Sequence, residues 1–498
     1  MTLNQDTIAA NATPSGRGGI GIIKISGPEA FPIAQSIFKP KDSTLNPNSG
    51  NLGRAGSSGP FQFSSHRLYY GHIVDPDNGR LLDEVLVSAM KAPNTYTRED
   101  VVEINAHGGA VVVHAILQLV LSSGARLAEP GEFTRRAFLN GRIDLTQAEA
   151  VIDVINARTQ KNLVLASAQV TGKLREQVTR IRTVLIDILI RVSAAIDFPD
   201  DVDELINSEE TLKVVNQKVL EPLYLLIQNY TDAHVFRDGL RVAIVGRPNV
   251  GKSSLLNQLV QKDRVIVSAV PGTTRDVIEE TLNLGGIPVI VSDTAGVHQT
   301  DHPVEKIGVE KTIAHVNGSD LVLFMIEASS ALGPEDDYIY EKIKSKPIII
   351  VLNKIDLTCR QNETAIPDSW AFDDWVRISA LYDRGIGDLK EMIVKLAGGA
   401  NPIDLHEVVV PNLRQKLLLE KSCNAAETIV EHMQNGFPSD LMAIDIQEAI
   451  DALGALSGEN VKVDVLDQIF SLFCVGKLLM FHVKQSEVPK MPKIKKRI

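Results

Sequence analysis

Gly246-Arg247-Pro248-Asn249-Val250-Gly251-Lys252-Ser253 reads G-x-x-x-x-G-K-S, directly after the apolar run Arg241-Val242-Ala243-Ile244-Val245 and before the helix-like Ser254-Leu255-Leu256-Asn257. Strand, glycine-bounded loop and helix start in that order make a phosphate-binding loop. The glycines let backbone N–H groups approach phosphate oxygens closely, the Lys252 ammonium reaches the terminal phosphates, and the Ser253 hydroxyl is a ligand for Mg²⁺. Asn249, Val250, Gly251, Lys252, Ser253 and Ser254 are therefore the candidate phosphate contacts, with Lys252 acting in catalysis.

The base is chosen about a hundred residues on. Pro347-Ile348-Ile349-Ile350-Val351-Leu352 reads as a buried parallel strand ending in Asn353-Lys354-Ile355-Asp356. A carboxylate at Asp356 accepts hydrogen bonds from the ring N–H and exocyclic amine of guanine. Adenine would leave it unpaired, at a cost of roughly 1–3 kcal/mol. Ser379-Ala380, after the strand-like Trp375-Val376-Arg377-Ile378, adds the small turn whose backbone N–H meets the guanine oxygen in GTPases.

Two further segments complete a GTPase switch. Pro271-Gly272-Thr273-Thr274-Arg275-Asp276 supplies Thr274 as the second Mg²⁺ ligand, sensing the terminal phosphate. Asp293-Thr294-Ala295-Gly296 follows the strand Pro288-Val289-Ile290-Val291-Ser292 and brings an outer-sphere Mg²⁺ carboxylate and a mobile glycine amide. Val297 comes next, where a Ras-type enzyme has a water-orienting glutamine, and valine cannot position water. Glu305 is the candidate for that role, with a solvated capping glutamate as the plainer reading.

The length of 498 residues accommodates about three domains. Cys359, Cys423 and Cys474 are odd in number and form no C-x-x-C pair, which points to a reducing compartment. The N-terminus has no basic-then-apolar signal, and no run reaches the roughly 18 apolar residues of a membrane span. A cytoplasmic protein without membrane contact is expected. The net charge of −11 argues against bulk adhesion to nucleic acid, so an RNA contact needs a local basic patch.

The pattern along the chain gives a multi-domain α/β protein. Strand signals at Gly21–Ser26, Glu84–Val87 and Val101–Ile104, with a helical pattern near Val111–Leu121, make an N-terminal α+β domain over 1–140, interrupted by a Ser-, Asn-, Gly- and Pro-rich insertion over 40–66. From Asp144 the period is helical. Leu174, Val178, Ile181, Leu185, Ile188 and Val192 form one stripe of a long helix, which requires helical partners. Ile446, Ala449, Ile450 and Leu453, and then Leu466, Ile469, Phe470 and Phe473, have the matching spacing. Residues 238–400 between them alternate strand and helix as a doubly wound parallel sheet does. The reading is a Ras-like P-loop GTPase domain over 238–400, inserted in a discontinuous α-helical domain of 141–237 and 401–477. A basic extension over 478–498 closes the chain.

These stretches, with Asp6-Thr7-Ile8-Ala9-Ala10, Gly16-Arg17-Gly18-Gly19, Ala106-His107-Gly108-Gly109, Pro130-Gly131-Glu132-Phe133-Thr134, Ala195-Ile196-Asp197-Phe198-Pro199 and Phe473-Cys474-Val475-Gly476-Lys477, resemble the MnmE (TrmE) family of tRNA-modification GTPases over nearly the whole chain. The resemblance implies a homodimer that works with an FAD- and NADH-using partner, MnmG (GidA), in a heterotetramer or larger assembly. Together they would install an aminomethyl or carboxymethylaminomethyl group on carbon 5 of the wobble uridine of certain tRNAs, driven by GTP hydrolysis. It implies a tetrahydrofolate-binding-like N-terminal domain for 5-formyl-tetrahydrofolate or a related one-carbon carrier, with Lys24, Glu103, Arg142 and Lys477 at the family's folate positions. It also implies K⁺ in place of an arginine finger, held by Asn249, Ser268, Val270 and Thr273, and Glu305 as the water-positioning glutamate.

Cys474 reads either as buried packing or as a redox or nucleophilic thiol. The extension with Lys484, Lys490, Lys493, Lys495, Lys496 and Arg497 reads either as a disordered tail or as a contact to tRNA phosphates. The acidic run Asp197, Asp200, Asp201, Asp203 and Glu204 reads as a solvated loop, and His107 stays without a catalytic assignment. Two other functions fit parts of the chain: a GTP-regulated ribosome-assembly factor, and a folate-dependent group-transfer enzyme timed by GTP.

Overall fold

Alternation along Ile20–Ser26 and Val101–His107 puts Ile23, Ile25, Val102 and Ile104 on one buried face of a sheet and Lys24 and Glu103 on the other. The computed structural model describes residues 6–14, 16, 18–41, 61–197, 208–263, 279–292, 316–357, 366–367, 370, 374–399, 408–459 and 461–473. Expectations placed on Ser268, Val270, Thr273, Thr274, Asp293, Thr294, Ala295, Gly296, Glu305, Cys359, Cys474, Lys477, the acidic run after Asp197 and the basic extension lie outside the described residues. Two units result, one holding the described residues up to Ile143 together with those from Val463 onward, the other spanning Asp144–Lys462.

The first unit is an α+β layer. Strands β1 (Ile8–Asn11), β2 (Ile20–Ser26), β3 (Phe38–Pro40), β4 (Arg67–Val74), β5 (Leu81–Met90), β6 (Val101–His107) and β7 (Arg126–Leu127) form one sheet in the order β3-β4-β5-β6-β2-β1-β7. All neighbours are antiparallel except β1 and β7. Helices α1 (Ala30–Ile37) and α2 (Ala110–Ser122) cover one face, closing a core of Ile23, Ile25, Ile33, Val87, Ile104 and Ile116. Register between β2 and β6 sets Lys24 opposite Glu103. Helix α3 (Glu132–Leu139) follows Gly131, whose left-handed φ of 65° suits glycine and whose missing side chain leaves room for Phe470 and Phe473.

In the second unit α4 (Leu145–Ile155) starts on an Asp144 capping box with Gln147 and is followed by α5 (Gln160–Val170). Helix α6 (Lys173–Asp197) buries the expected stripe of Leu174, Val178, Ile181, Leu185, Ile188 and Val192. Helices α7 (Ser208–Val215) and α8 (Glu221–Asp238) lead into the second sheet. That sheet comprises β8 (Leu240–Val245), β9 (Glu279–Leu284), β10 (Ile287–Ser292), β11 (Leu321–Glu327), β12 (Ile348–Asn353) and β13 (Trp375–Arg377), with α9 (Lys252–Asp263) and α10 (Pro334–Ile343) between strands and α11 (Ile386–Val394) after the last one. Its order is β13-β12-β11-β8-β10-β9, parallel except for β9. Apolar clusters lie on both faces, as a doubly wound sheet requires, with Val242, Ile244 and Leu323 in one and Ala243, Val322 and Phe324 in the other.

After the sheet, α12 (Leu413–Gln434) and α13 (Ser439–Ser457) bury Leu419, Ile429, Ile446, Ala449, Ile450 and Leu453 in the same cluster as the α6 stripe. The helical core is thus built from segments on both sides of the sheet. The chain enters and leaves the sheet at one place: Arg237 Nη1 donates to Val410 O at 3.0 Å and its other nitrogen pairs with Asp153. Asn162 Nδ2 donates to Phe236 O and Arg237 O. At the α12 start, Glu149 accepts from Arg414 Nε at 2.6 Å and Nη2 at 2.9 Å and from Gln415 Nε2 at 2.7 Å.

One expectation is corrected. Helix α14 (Val463–Ser471) does not join the α6 core but belongs with the first unit, where Phe470 meets Phe138 and Arg135 pairs with Asp467 at 3.0 Å. Helical spacing states that a face is buried and carries no information on which partner buries it. Among the described residues, no helix is long and apolar enough to cross a membrane.

Candidate functional site

The phosphate loop hangs between β8 and α9. Gly246 has φ 153°, and a Cβ there would stand 2.4 Å from Met325 O; Gly251 has φ 102°, and a Cβ would meet Asn353 Nδ2 at 2.2 Å. Both glycines are steric requirements of the loop. Asn249 is exposed with φ 64°, the left-handed region that asparagine tolerates, while Val250 is buried beneath the loop. Lys252 Nζ donates to Gly246 O at 2.9 Å and Arg247 O at 2.8 Å, so the ammonium lies within the concave backbone where phosphates would sit. Ser253 and Ser254 are exposed in the first turn of α9.

Asn353 joins this loop to the Ser379-Ala380 turn. Its Nδ2 donates to Val250 O at 2.8 Å and its Oδ1 accepts from Ala380 N at 3.0 Å, with the residue 2% exposed. Lys354, at φ 64°, pairs with Glu327 at 2.7 Å. The Lys354 ammonium and then the Ser329 hydroxyl hold the Glu327 carboxyl below the usual range. Ser379 Oγ donates to Asp356 Oδ1 at 2.5 Å, which fixes the carboxylate's rotation and leaves its second oxygen for a ligand N–H. The structure therefore brings together Asn249, Val250, Gly251, Lys252, Ser253, Ser254, Asn353, Lys354, Asp356, Ser379 and Ala380.

In the first unit, Lys24 and Glu103 pair at 3.1 Å on the sheet face opposite α1 and α2. Lys24 Nζ lies 5.3 Å from the Tyr96 ring centroid and 5.7 Å from that of Phe133, and the Arg142 guanidinium carbon is 4.6 Å from Tyr96. Two cations, a carboxylate and two rings share one small region. Tyr96 is held by its hydroxyl, 3.0 Å from Thr134 Oγ1, and by its loop: Asn140 Nδ2 donates to Thr97 O at 2.6 Å, and Glu99 takes Arg136 Nη1 at 3.2 Å. Arg136 also bonds Asp6 and Glu132, both of which pair with Arg126.

A model of the MnmE helical domain matches residues 145–474, and one of the N-terminus of the GTP-binding protein TrmE matches residues 7–142. The tRNA modification GTPase MnmE of Acetivibrio thermocellus is 43% identical over 95% of this chain and 99% of its own length. Those of Carboxydothermus hydrogenoformans and Streptococcus pneumoniae are 43% and 42% identical over 95% and 96% of this chain, each along 100% of its own length. This chain belongs to the MnmE family of tRNA modification GTPases. Among solved structures, Era of Aquifex aeolicus aligns with 37% of this chain and 67% of its own at 31% identity, with a TM-score of 0.26, too low to bear on the fold.

MnmE membership leaves several side chains to be accounted for from this chain alone. Sequence reasoning misses Tyr96, whose only signal is an aromatic inside the polar turn Asn94-Thr95-Tyr96-Thr97-Arg98, and gives Phe133 no role. Cys423 is buried among the α12 and α13 side chains, and burial followed by the nearby Glu427 charge pushes its thiol up to about 11, which makes it inert packing. His107 Nδ1 lies 2.7 Å from Asp83 Oδ1 and its N–H donates to Asp83 Oδ2, so it closes a strand end. Among the described residues, no group of three or more His, Cys, Asp or Glu could hold a metal.

Proposed function

We propose that GTP hydrolysis by this chain drives installation of an aminomethyl or carboxymethylaminomethyl group on carbon 5 of the wobble uridine of certain tRNAs. The one-carbon unit comes from 5-formyl-tetrahydrofolate or a related carrier held in the first unit. The chain acts in the cytoplasm as a homodimer with an FAD- and NADH-using partner of the MnmG type. The observation that carries this reading is that one chain of this family holds both a guanine nucleotide site and the Lys24, Glu103 and Arg142 cluster around Tyr96. The rings suit the flat pterin of a folate, Glu103 suits its N–H donors, and the two cations suit its carbonyl oxygen.

At the nucleotide, Lys252 neutralises charge on the terminal phosphates and the loop N–H groups fix their orientation. Asp356 accepts from guanine, and the Ala380 N–H end of the loop is held by Asn353. Ser253 would supply a hard hydroxyl oxygen for Mg²⁺, with Thr274 as the second protein ligand and Asp293 in the outer sphere, and the ion would supply positive charge for the phosphates. Asn249, whose exposed amide offers a neutral oxygen, would hold K⁺ together with Ser268, Val270 and Thr273, and the ion would supply positive charge where the leaving group develops negative charge. Glu305 orients the attacking water, the role that Val297 leaves vacant. Lys477 joins the folate site, and Cys474 is the candidate thiol for the modification chemistry.

Calorimetry with 5-formyl-tetrahydrofolate tests the first-unit site: binding that falls at least tenfold in Lys24→Ala and Arg142→Ala supports it, and no binding by the wild type refutes it. GTP turnover is expected to be faster in K⁺ than in Na⁺, and equal rates would remove the cation role from Asn249.

A further inference from the structure

Arg247 is the one basic side chain in the phosphate loop besides Lys252, and its guanidinium contacts Asp336 and Ser330. Its Nε lies 2.9 Å from Asp336 Oδ1, in the geometry of a charge contact rather than an aligned hydrogen bond, and its Nη2 is 3.4 Å from Ser330 Oγ. Asp336 is fully buried, and its other oxygen accepts from Gly333 N at 3.0 Å, capping α10. The side chain thus ties the loop to the start of α10, while the Arg247 carbonyl accepts from Lys252 Nζ. Residue 247 is held at both ends, Pro248 has a ring-locked φ, and Asn249 already sits at φ 64°.

We propose that Arg247 and Asp336 are positioning residues for nucleotide binding: the pair holds the first half of the phosphate loop in its binding conformation before a nucleotide arrives. The inference rests on reading this loop as the GTP site. Ordering one residue's backbone corresponds to roughly five- to thirtyfold in an equilibrium constant. A loop released at residue 247 must be ordered again by the incoming phosphates, and that cost appears as weaker binding with the phosphate contacts themselves unchanged.

The test separates this role from simple structural support. Arg247→Ala leaves a buried Asp336 carboxylate without its partner and lowers the melting temperature; the double variant Arg247→Ala with Asp336→Asn removes the stranded charge and recovers much of that loss. Affinity for a fluorescent GDP is expected to fall about tenfold in Arg247→Ala, in Asp336→Asn and in the double variant alike, because each breaks the same link. Recovery of wild-type affinity in the double variant along with its melting temperature would overturn the proposal, since the defect would then be one of folding. Wild-type affinity in all three, while Lys252→Ala loses binding, would overturn the proposal alone. Wild-type affinity in Lys252→Ala would overturn the GTP-site reading and the proposal with it.

Discussion

Asn353→Ala is the most telling single change in the second unit, because one amide serves two loops far apart in sequence. The side chain is buried, donating to Val250 O at 2.8 Å and accepting from Ala380 N at 3.0 Å. Alanine makes neither bond and leaves a carbonyl and an N–H without their partner. Each buried group so stranded costs about 1–3 kcal/mol, so the pair costs about 2–6 kcal/mol. That is a large share of a domain's stability of about 5–15 kcal/mol, so the variant folds but melts early. Whatever part of the loss is relieved by the loops drifting apart in the free protein must be recovered from binding energy when GTP brings them back. If half, about 1–3 kcal/mol, is handled that way, affinity falls by about 5- to 150-fold. Titration with a fluorescent GDP and a thermal melt, each on the full chain, measure the two shares. Asn353→Asp refines the result: it keeps the acceptor for Ala380 N but sets an oxygen against Val250 O, so it is expected to damage binding as much as alanine does. Affinity within twofold of wild type and an unchanged melt in Asn353→Ala would refute the idea that this amide couples the phosphate and base segments.

Asp356→Asn replaces an acceptor of two N–H groups by an amide that donates one, so GDP affinity should drop about 10- to 100-fold while xanthosine diphosphate, with a carbonyl in place of the guanine amine, gains; competition against a fluorescent nucleotide reads both. Glu132→Gln tests the charge cluster under β1. Burial pushes the Glu132 carboxyl up, and the hydrogen bonds from Arg126, the Glu129 N–H and Arg136 outweigh it, leaving it below its ordinary value of 4.5. A carboxyl lowered on folding stabilises the protein above about pH 4.5 and loses that contribution as pH falls through the folded value. The variant should therefore lose about 3 kcal/mol at neutral pH and show a shallower decline in acid, measured by denaturant melts from pH 7 to pH 3.

Local order explains which parts of this molecule could be read without coordinates. The phosphate loop and the Asn353 to Asp356 stretch were legible because each carries its chemistry in consecutive residues next to a strand end. Insertion of the sheet into a helical body was legible too, from helical spacing on both sides of a strand-rich stretch. What escaped depends on partners distant in sequence. Nothing near Arg247 announces Asp336, and nothing near Arg126 announces Asp6. Only the family resemblance points to Lys24 and Glu103, and their adjacency comes from the β2 and β6 register. Tyr96 could be recognised only once Lys24 and Arg142 were seen beside its ring. The assignment of Leu466 and Phe470 to the α6 core failed for the same reason: amphipathic spacing leaves the partner open, and here it is α3.

On the proposed function, GTP bound at the Lys252 loop powers wobble-uridine modification. Mass spectrometry of nucleosides from tRNA of cells whose only copy carries Lys252→Ala tests it most directly. Loss of the aminomethylated and carboxymethylaminomethylated uridines, restored by the wild-type chain, is the predicted result. An unchanged nucleoside profile in cells that make the variant at normal levels would contradict it.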